Sequence, residues 1–409
     1  MNQLALILGV LSLSAWAGGA QTKVLPGIDT LRARDFAALA GKRVGLVTNP
    51  ASVDSRGVAT LDVLRAAPRV RLVALFGPEH GVYGDVKAGA RIADRVDART
   101  GLPVYSLHGA TRKPTPEMLR GLDVIVYDLQ DIGARSYTFI STLGLVMQAA
   151  AAAGVEVCVL DRPNPLGGTR VEGGGVRPDY RSFVGQYDIP YLYGLTPAEL
   201  AQWLNARWLA RPCKLTVFKM DGWTRRMVWA DTGLKWVPTS PNIPTAQAAV
   251  GYAATGLLGD IGVSNGANVT RHPFQVVAAE NLDAAGLARR FNALGLRGVT
   301  AAPFSFYPDA GKYTNVRYDG IRLDLDPRAP THLLALNFRI LDLLRQAQPT
   351  RNYFARADAS HIKMFDKING GPANRQAWLA GQGAERIALG WRARESAWRK
   401  EREAYLLYQ

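Results

Sequence analysis

The chain has 409 residues, of which 48% are hydrophobic and 20% are charged, and this balance excludes a disordered protein. The length exceeds what one ordinary core holds, so we expect two domains or one large elaborated domain. The formal net charge is +15, but no RNA- or DNA-binding motif accompanies it, so the charge does not predict a nucleic-acid partner.

The first twenty residues, MNQLALILGVLSLSAWAGGA, are uncharged and predict an export signal. Their apolar stretch is too short to span a bilayer, and small residues suited to signal peptidase occur at 15–17 and 18–20. We therefore expect residues 1–20 to be removed, leaving a periplasmic or extracellular protein with no stable membrane insertion. For an exported basic protein, an anionic polymer such as cell wall is the expected partner.

Four short β-branched runs in the N-terminal half predict parallel strands that are covered by helices and buried on both faces. They occupy residues 43–48, 71–76, 122–127 and 155–160. A helix is predicted over 137–153, ended by Gly154. Another begins at Thr196, with Pro197 in its first turn and Glu199 completing a capping box.

The Pro-rich segment 238–244, PTSPNIP, is the predicted crossing between two domains. Beyond it lie aromatic-rich irregular segments, a helix near 331–345 and a charged terminal helix. The predicted organisation is an α/β catalytic domain over 24–240 and a smaller α+β domain over 241–409 that completes a cleft.

Polar residues follow each predicted strand directly or within a short loop. In open α/β sheets the carboxyl ends of the strands form the edge where ligands bind, so these residues are predicted to share one site. They are Asn49, Glu79, His80, Asp128, Asp131, Arg135, Asp161, Arg162, Asn164 and Glu172.

Several kinds of binding site or reaction are possible at this edge of the sheet. The first strand is followed by NPASVDSRG, which lacks the glycine pattern of dinucleotide sites, and no Gly-x-Ser-x-Gly elbow indicates a serine hydrolase. His80, His108, Asp128 and Asp131 are possible metal ligands, but no motif fixes their geometry. Cys158 and Cys213 resemble no catalytic or metal-binding pair, and whether they form a disulfide stays open.

Glycoside hydrolysis by carboxylates is the remaining chemistry. It needs one acid that gives a proton to the leaving oxygen and a second group that acts as base or nucleophile. The stretch FGPEHG at 76–81 is framed by Gly and Pro, which predicts that Glu79 faces a cleft and that His80 hydrogen-bonds or relays a proton beside it. The alternative is that Glu79 caps a helix or pairs with an arginine.

Seven segments in chain order carry a recognisable set of motifs. They are FGPEHG at 76–81, YDLQDIGARSYT at 127–138, LDRPNPLGG at 160–168, VEGGGV at 171–176, SFVGQYDIPYLYGLTPAELA at 182–201, WVPTSPNIPT at 236–245 and FDKINGGPANRQAWLAGQ at 365–382. Together they resemble the exo-β-N-acetylmuramidase (NamZ-like) family, glycoside hydrolase family 171.

This resemblance implies a Rossmann-like parallel sheet without a dinucleotide, a smaller C-terminal domain and an active site between them. We expect no cofactor and no metal. The implied reaction releases terminal β-1,4-linked N-acetylmuramic acid from the non-reducing ends of peptidoglycan fragments. Glu79 matches the family's candidate catalytic acid. His80, Asp128 and Asp131 match motif positions and are predicted to be catalytic as well.

The substrate carries a lactyl carboxylate, so a cation is expected in the pocket, and Arg135 and Arg162 are the predicted positions. Tyr137 is predicted to stack on the sugar or to offer its hydroxyl. Substrate binding is also predicted for Asn49, Asp161, Asn164, Glu172, Asn268 and Arg271.

The loop GVSNGANVTRHPF at 262–274 departs from the family pattern. Asn268 stands where an arginine is usual, and Arg271 is predicted to compensate, so a different sugar or a modified muropeptide is an open possibility. A non-catalytic periplasmic sugar-binding protein and a metal-assisted hydrolase are the alternative functions. The stereochemical outcome and the oligomeric state are left open by the sequence.

Overall fold

The computed structural model describes residues 23–84, 86, 90, 93–309 and 314–409. The predicted export signal at residues 1–20 lies outside the described residues. No helix in the described part of the chain has the length and apolar character needed to cross a membrane.

A seven-stranded sheet forms the centre of the N-terminal half. Its strands are β1 (Arg43–Val47), β2 (Arg71–Gly77), β3 (Arg95–Val96), β4 (Pro103–Ser106), β5 (Val124–Tyr127), β6 (Glu156–Leu160) and β7 (Leu215–Phe218). The order is β3-β4-β2-β1-β5-β6-β7, and all neighbours are parallel except the short β3, which is antiparallel to β4. The four predicted strands correspond to β1, β2, β5 and β6, which confirms the α/β class.

Helices cover both faces of this sheet. Those of the N-terminal half are α1 (Gly27–Ala33), α2 (Thr60–Ala66), α3 (Pro116–Leu119), α4 (Phe139–Ala153) and α5 (Pro197–Trp203). Helix α4 ends at Gly154, whose φ of 69° is a conformation that glycine adopts without strain. Helix α5 begins with the predicted capping box, in which the side chains of Thr196 and Glu199 each accept a hydrogen bond from the other's backbone N–H.

Alternate residues of β5 belong to different hydrophobic clusters. Val124 and Val126 lie in a cluster with residues of α1 and α2, whereas Ile125 and Tyr127 lie in one with residues of α4 and α5. Because both faces of the strand are buried, its sequence is apolar throughout instead of alternating.

The C-terminal half combines an antiparallel sheet with further helices. The strands are β8 (Val276–Ala279), β9 (Val299–Phe306) and β10 (Tyr318–Leu325), in the order β8-β10-β9. The helices are α6 (Ala246–Thr255), α7 (Ala284–Asn292), α8 (Leu333–Ala347), α9 (Ala359–Asn369), α10 (Ala373–Leu379) and α11 (Ala384–Arg402). The predicted helix near 331–345 is α8, and the charged terminal helix is α11.

One hydrophobic cluster joins the two halves, because it contains residues of α4 and α5 together with residues of α6, α8 and α11. The two halves of the described chain therefore share one hydrophobic core. The domain boundary expected at residues 240–241 stays a prediction.

Candidate active site

A pocket of about 220 Å³ lies at the carboxyl edge of the parallel sheet, between the two halves. Its walls come from the turn after β2, the segment that leads into α4, the Pro-rich crossing, α6 and the loop before β8. The lining residues are Glu79, His80, Ser136, Tyr137, Thr138, Phe139, Val184, Ser240, Asn242, Ile243, Tyr252 and Phe274. Larger pockets lie elsewhere, including one of about 450 Å³ beside His332, but Glu79 lines the smaller one.

The turn after β2 presents Glu79 to this pocket. The Gly81 amide donates to the Pro78 carbonyl over 2.9 Å, which closes the turn. His80 and Gly81 both have positive φ, 73° and 79°. This conformation costs a non-glycine residue roughly 1 kcal/mol or more, and such strain concentrates at functional sites.

Glu79 is held by a hydroxyl group and faces an imidazole. The Thr138 hydroxyl donates a 2.7 Å hydrogen bond to its Oε2 atom, and its Oε1 atom lies 3.7 Å from Nε2 of His108. The Glu79 side chain is 16% exposed, so it is reached from the pocket but largely shielded from bulk water. The hydrogen bond from Thr138 therefore fixes the orientation of the carboxyl group on the pocket wall.

His108 was considered from the sequence only as a metal ligand, yet its imidazole lies beside the carboxyl group of Glu79. It follows β4, a strand that was not predicted, and its ring centroid is 5.8 Å from that of Phe183. Burial lowers the pKa of His108, the charges of Arg112 and His80 act in the same direction, and Glu79 opposes them. The imidazole is therefore neutral at pH 7. The rule that polar residues follow parallel strands would have identified it, had β4 been recognised.

His80 lines the pocket beside Glu79, but its hydrogen bond goes to the backbone. Its Nδ1 atom lies 2.8 Å from the carbonyl oxygen of Val86. A carbonyl only accepts, so Nδ1 carries the proton in this arrangement. The relay role expected for His80 stays a prediction, because His108 is the imidazole that faces Oε1 of Glu79.

Asp128 and Arg162, expected to act in catalysis and substrate binding, form a buried ion pair away from the Glu79 pocket. The Arg162 Nε and Nη2 atoms both donate to the Asp128 carboxylate, the latter over 2.8 Å. The Thr60 hydroxyl donates to the same carboxylate, and Arg162 also donates to the Val53 carbonyl. The two side chains are only 0% and 3% exposed. The pair connects the loops that follow β1, β5 and β6.

Asp131, another residue expected to be catalytic, is buried and does not line the pocket. The Tyr193 hydroxyl and the Gly133 amide donate to its Oδ2 atom, while Oδ1 has no hydrogen-bond partner among the described residues. Burial raises the pKa of Asp131 to about 6. Burial also raises the pKa of Tyr137, and the charges of Asp131 and Glu79 add to that increase. The charge of Asp131 therefore acts on a pocket residue.

Arg135, expected to bind the substrate carboxylate, is instead engaged by backbone carbonyl groups. Its Nη1 atom donates to Gly174 and Ile189, and its Nη2 atom donates to Ile368 over 2.9 Å. Burial lowers the pKa of Arg135 to about 10, so it is still a cation at pH 7. Its guanidinium links the segment before α4 to α9.

Asp161 and Asn164 also support the loops and do not line the pocket. The Asp161 carboxylate accepts hydrogen bonds from the Thr196 hydroxyl over 2.8 Å, the Ala198 amide over 2.9 Å and the Tyr408 hydroxyl. Burial raises the pKa of Asp161 to about 7. The side-chain amide of Asn164 donates to a backbone carbonyl.

Glu172 and Asn49 have internal partners as well. Glu172 pairs with Arg170, and its carboxylate lies 3.1 Å from Nδ1 of His332, beside the larger pocket. Asn49 donates to the Thr239 carbonyl over 3.3 Å. The structure thus brings Glu79, His80 and Tyr137 together in the small pocket and places the other residues expected at the strand ends behind or beside it.

The loop with the unusual Asn268 reaches the pocket through Asn242. The Asn268 backbone N–H donates to Asn242 Oδ1 over 2.9 Å, and Asn242 Nδ2 donates to Asn268 Oδ1 over 2.8 Å. Asn268 therefore positions a lining residue. Arg271 is exposed on the same loop.

A network of hydroxyl groups forms part of the pocket wall. The Ser136 hydroxyl donates to the Tyr191 hydroxyl over 2.9 Å and lies 2.9 Å from that of Tyr252. The Tyr137 hydroxyl donates to Thr239 Oγ1 over 2.8 Å. Of the residues in this wall, only Tyr137 was expected from the sequence, because hydroxyl directions are not encoded in a motif.

Within the described ranges, no three His, Cys, Asp or Glu side chains converge as ligands for a metal ion. Cys158 and Cys213 are buried free thiols.

Known proteins resemble the chain along nearly its whole length. The N-terminal family model of exo-β-N-acetylmuramidase NamZ matches residues 44–247, and the C-terminal one matches residues 250–408. The chain is 39% identical over 386 residues to peptidoglycan β-N-acetylmuramidase NamZ of Bacillus subtilis (strain 168), covering 94% of this chain and 92% of that protein. Crystal structures of two DUF1343 family proteins from Bacteroides fragilis NCTC 9343 have TM-scores of 0.88 and 0.74, at 43% and 27% identity. Each match covers 95% of this chain and 99% of the solved one.

Proposed function

The chain belongs to the exo-β-N-acetylmuramidase NamZ family and is a glycosidase. From this premise we propose that it releases terminal β-1,4-linked N-acetylmuramic acid from the non-reducing ends of peptidoglycan fragments. In this proposal Glu79 is the proton donor. The observation that supports this most is the position of Glu79, oriented by Thr138 on the wall of a small pocket. Membership of a glycosidase family argues against the non-catalytic sugar-binding protein.

The size of the pocket supports action at a chain end. Small-molecule pockets usually enclose about 300–1,000 Å³, and this one encloses about 220 Å³. It suits one sugar residue better than a polysaccharide chain. The ring of Tyr137 lies 4.7 Å from that of Phe139 and 6.2 Å from that of Tyr252, and these aromatic walls suit the apolar face of a pyranose.

In the proposed reaction, Glu79 gives its carboxyl proton to the glycosidic oxygen as the bond from that oxygen to the anomeric carbon breaks. A water molecule then forms the new bond to the anomeric carbon, and the proton that it loses restores the acid form of Glu79 for the next cycle. The Thr138 hydroxyl keeps the carboxyl group in one orientation throughout. After the transfer, His108 Nε2, 3.7 Å from Oε1, is placed to donate to the new carboxylate. The negative charge of Asp131, which also raises the pKa of Tyr137 in the pocket wall, would stabilise the positive charge that develops on the sugar ring.

The test compares Glu79→Gln with the wild type on the disaccharide N-acetylmuramyl-β-1,4-N-acetylglucosamine and on an aryl β-glycoside of N-acetylmuramic acid. General acids contribute about 10²–10⁴-fold to rates, so kcat/KM on the disaccharide should fall by about that factor. The loss should be smaller on the aryl glycoside, because a phenolate leaves without much help from an acid. Glu117→Gln, at an exposed glutamate of α3, is the matched control and should be fully active.

Full activity of Glu79→Gln on the disaccharide would contradict its role as proton donor. A wild type that releases no muramic acid would contradict the substrate. The same assay is run with EDTA, and activity that is lost to the chelator and restored by a divalent ion would favour metal-assisted hydrolysis.

We also propose that residues 1–20 direct export, so that the mature protein begins after Ala17 or Ala20 and acts in the periplasm or outside the cell. Mass spectrometry of the N terminus, on protein from fractionated cells, tests this. An intact Met1 on protein found only in the cytosol would contradict it.

A further inference from the structure

The choice of N-acetylmuramic acid over N-acetylglucosamine needs a group that binds the lactyl carboxylate. The two arginines expected to do so, Arg135 and Arg162, are engaged by buried carbonyl and carboxylate groups. Among the described residues that line the pocket, none is Lys or Arg. If the proposed function holds, an exposed arginine close to these residues is a candidate for that cation.

Arg112 is an exposed arginine that packs on the ring of Phe183. Its guanidinium carbon is 4.3 Å from the centroid of the Phe183 ring, and that ring is 5.8 Å from the ring of His108. His108 in turn lies 3.7 Å from Glu79, and Val184, the neighbour of Phe183, lines the pocket. Two ring contacts therefore separate the guanidinium from the His108–Glu79 pair.

The side chain of Arg112 is available to a ligand and its charge reaches the pocket. Arg112 is exposed, and no described carboxylate forms an ion pair with it. Burial lowers the pKa of His108, and the charge of Arg112 lowers it further. The face of Phe183 holds the guanidinium through a cation–π contact, which reduces the entropy lost when a ligand binds.

We propose that Arg112 binds the lactyl carboxylate of the terminal N-acetylmuramic acid and thereby sets the preference for this sugar over N-acetylglucosamine. The lactyl group is attached at C3, two ring carbons from the anomeric carbon whose exocyclic oxygen Glu79 protonates. Its carboxylate therefore lies away from the bond that Glu79 acts on, and Arg112 is held on Phe183, the neighbour of the pocket residue Val184. A guanidinium also binds a carboxylate through two parallel hydrogen bonds, which a lysine does not.

The experiment measures kcat and KM on the disaccharide, and the inhibition constants of free N-acetylmuramic acid and free N-acetylglucosamine, for Arg112→Gln and Arg112→Lys. Loss of one charge-assisted pair corresponds to roughly 10–100-fold. Arg112→Gln should raise KM and the inhibition constant of N-acetylmuramic acid by that factor, with kcat and the inhibition constant of N-acetylglucosamine unchanged. Arg112→Lys should lie between. Arg120→Gln, at an exposed arginine near α3, is the matched control and should behave as wild type.

An unchanged KM and an unchanged inhibition constant for N-acetylmuramic acid in Arg112→Gln would overturn the role of Arg112 and leave the proposed function standing. Equal weakening for both sugars would also overturn it, because the lactyl group would then not be what Arg112 binds. A wild type that releases no muramic acid would remove the proposed function and this inference together.

Discussion

Replacing Asp128 by asparagine separates a structural role of the buried Asp128–Arg162 pair from a catalytic one. The variant would leave the Arg162 guanidinium, 3% exposed, without the carboxylate that accepts two of its hydrogen bonds. Removing one partner of a buried ion pair costs about 3–5 kcal/mol. This is a large part of the about 5–15 kcal/mol that keeps a typical domain folded. We therefore expect a strong loss of stability.

Urea unfolding measures this effect, and the midpoint should fall while the slope stays the same. Under conditions where the variant is folded, kcat on the disaccharide should stay near the wild-type value. Asp123→Asn is the matched control, since Asp123 forms an exposed pair with Arg43 and little change is expected. The double variant Asp128→Asn/Arg162→Met should recover stability. Wild-type stability with kcat lowered 100-fold or more would refute this reasoning and support the catalytic role expected from the sequence.

Two further predictions concern Thr138 and His332. Thr138→Val keeps the shape of the side chain but removes the hydroxyl that orients Glu79. The kcat on the disaccharide should fall roughly 10-fold, as expected for the loss of one hydrogen bond to a charged group. An unchanged kcat would show that this hydrogen bond is dispensable. Burial opposes the charge on His332, but the carboxylates of Glu172 and Glu395 outweigh it and raise the pKa of His332 to about 9. Since this pKa lies above the unfolded value of about 6.5, the charge stabilises the fold fully below pH 6.5 and this contribution is lost as the pH rises through 9. His332→Gln should therefore lower the melting temperature more at pH 6 than at pH 10. An equal decrease in melting temperature at the two pH values would contradict a stabilising charge on His332.

The central sheet was predictable because its strands are buried on both faces. Continuous β-branched runs result from that burial, and they identified β1, β2, β5 and β6. Strand β4 was missed because only alternate residues of Pro103–Ser106 are buried and the run is short. The contact that it positions, between His108 and Glu79, was missed with it.

The candidate site was predictable only in part, because a polar residue after a strand can either line a ligand pocket or hold the loops behind it. Gly and Pro around Glu79 indicated a fixed turn, and the structure places Glu79 on a pocket wall. Asp161 had the same type of position, but its carboxylate accepts from Tyr408, the penultimate residue of the chain. A partner that is so distant in sequence leaves no signal near the motif.

The residues that lie behind the pocket connect loops at the same edge of the sheet, and we expect them to affect catalysis only through the positions of these loops. Asp128 and Arg162 join the loops after β1, β5 and β6, and Arg135 joins the segment before α4 to α9. A proton donor loses rate steeply when it is displaced by an ångström, so Thr138 and the turn of Glu79 must be held by a rigid surrounding structure. Charged groups at the other strand ends therefore need no contact with the substrate to matter for its hydrolysis. Their substitution should lower stability first, and activity only as the loops lose their positions.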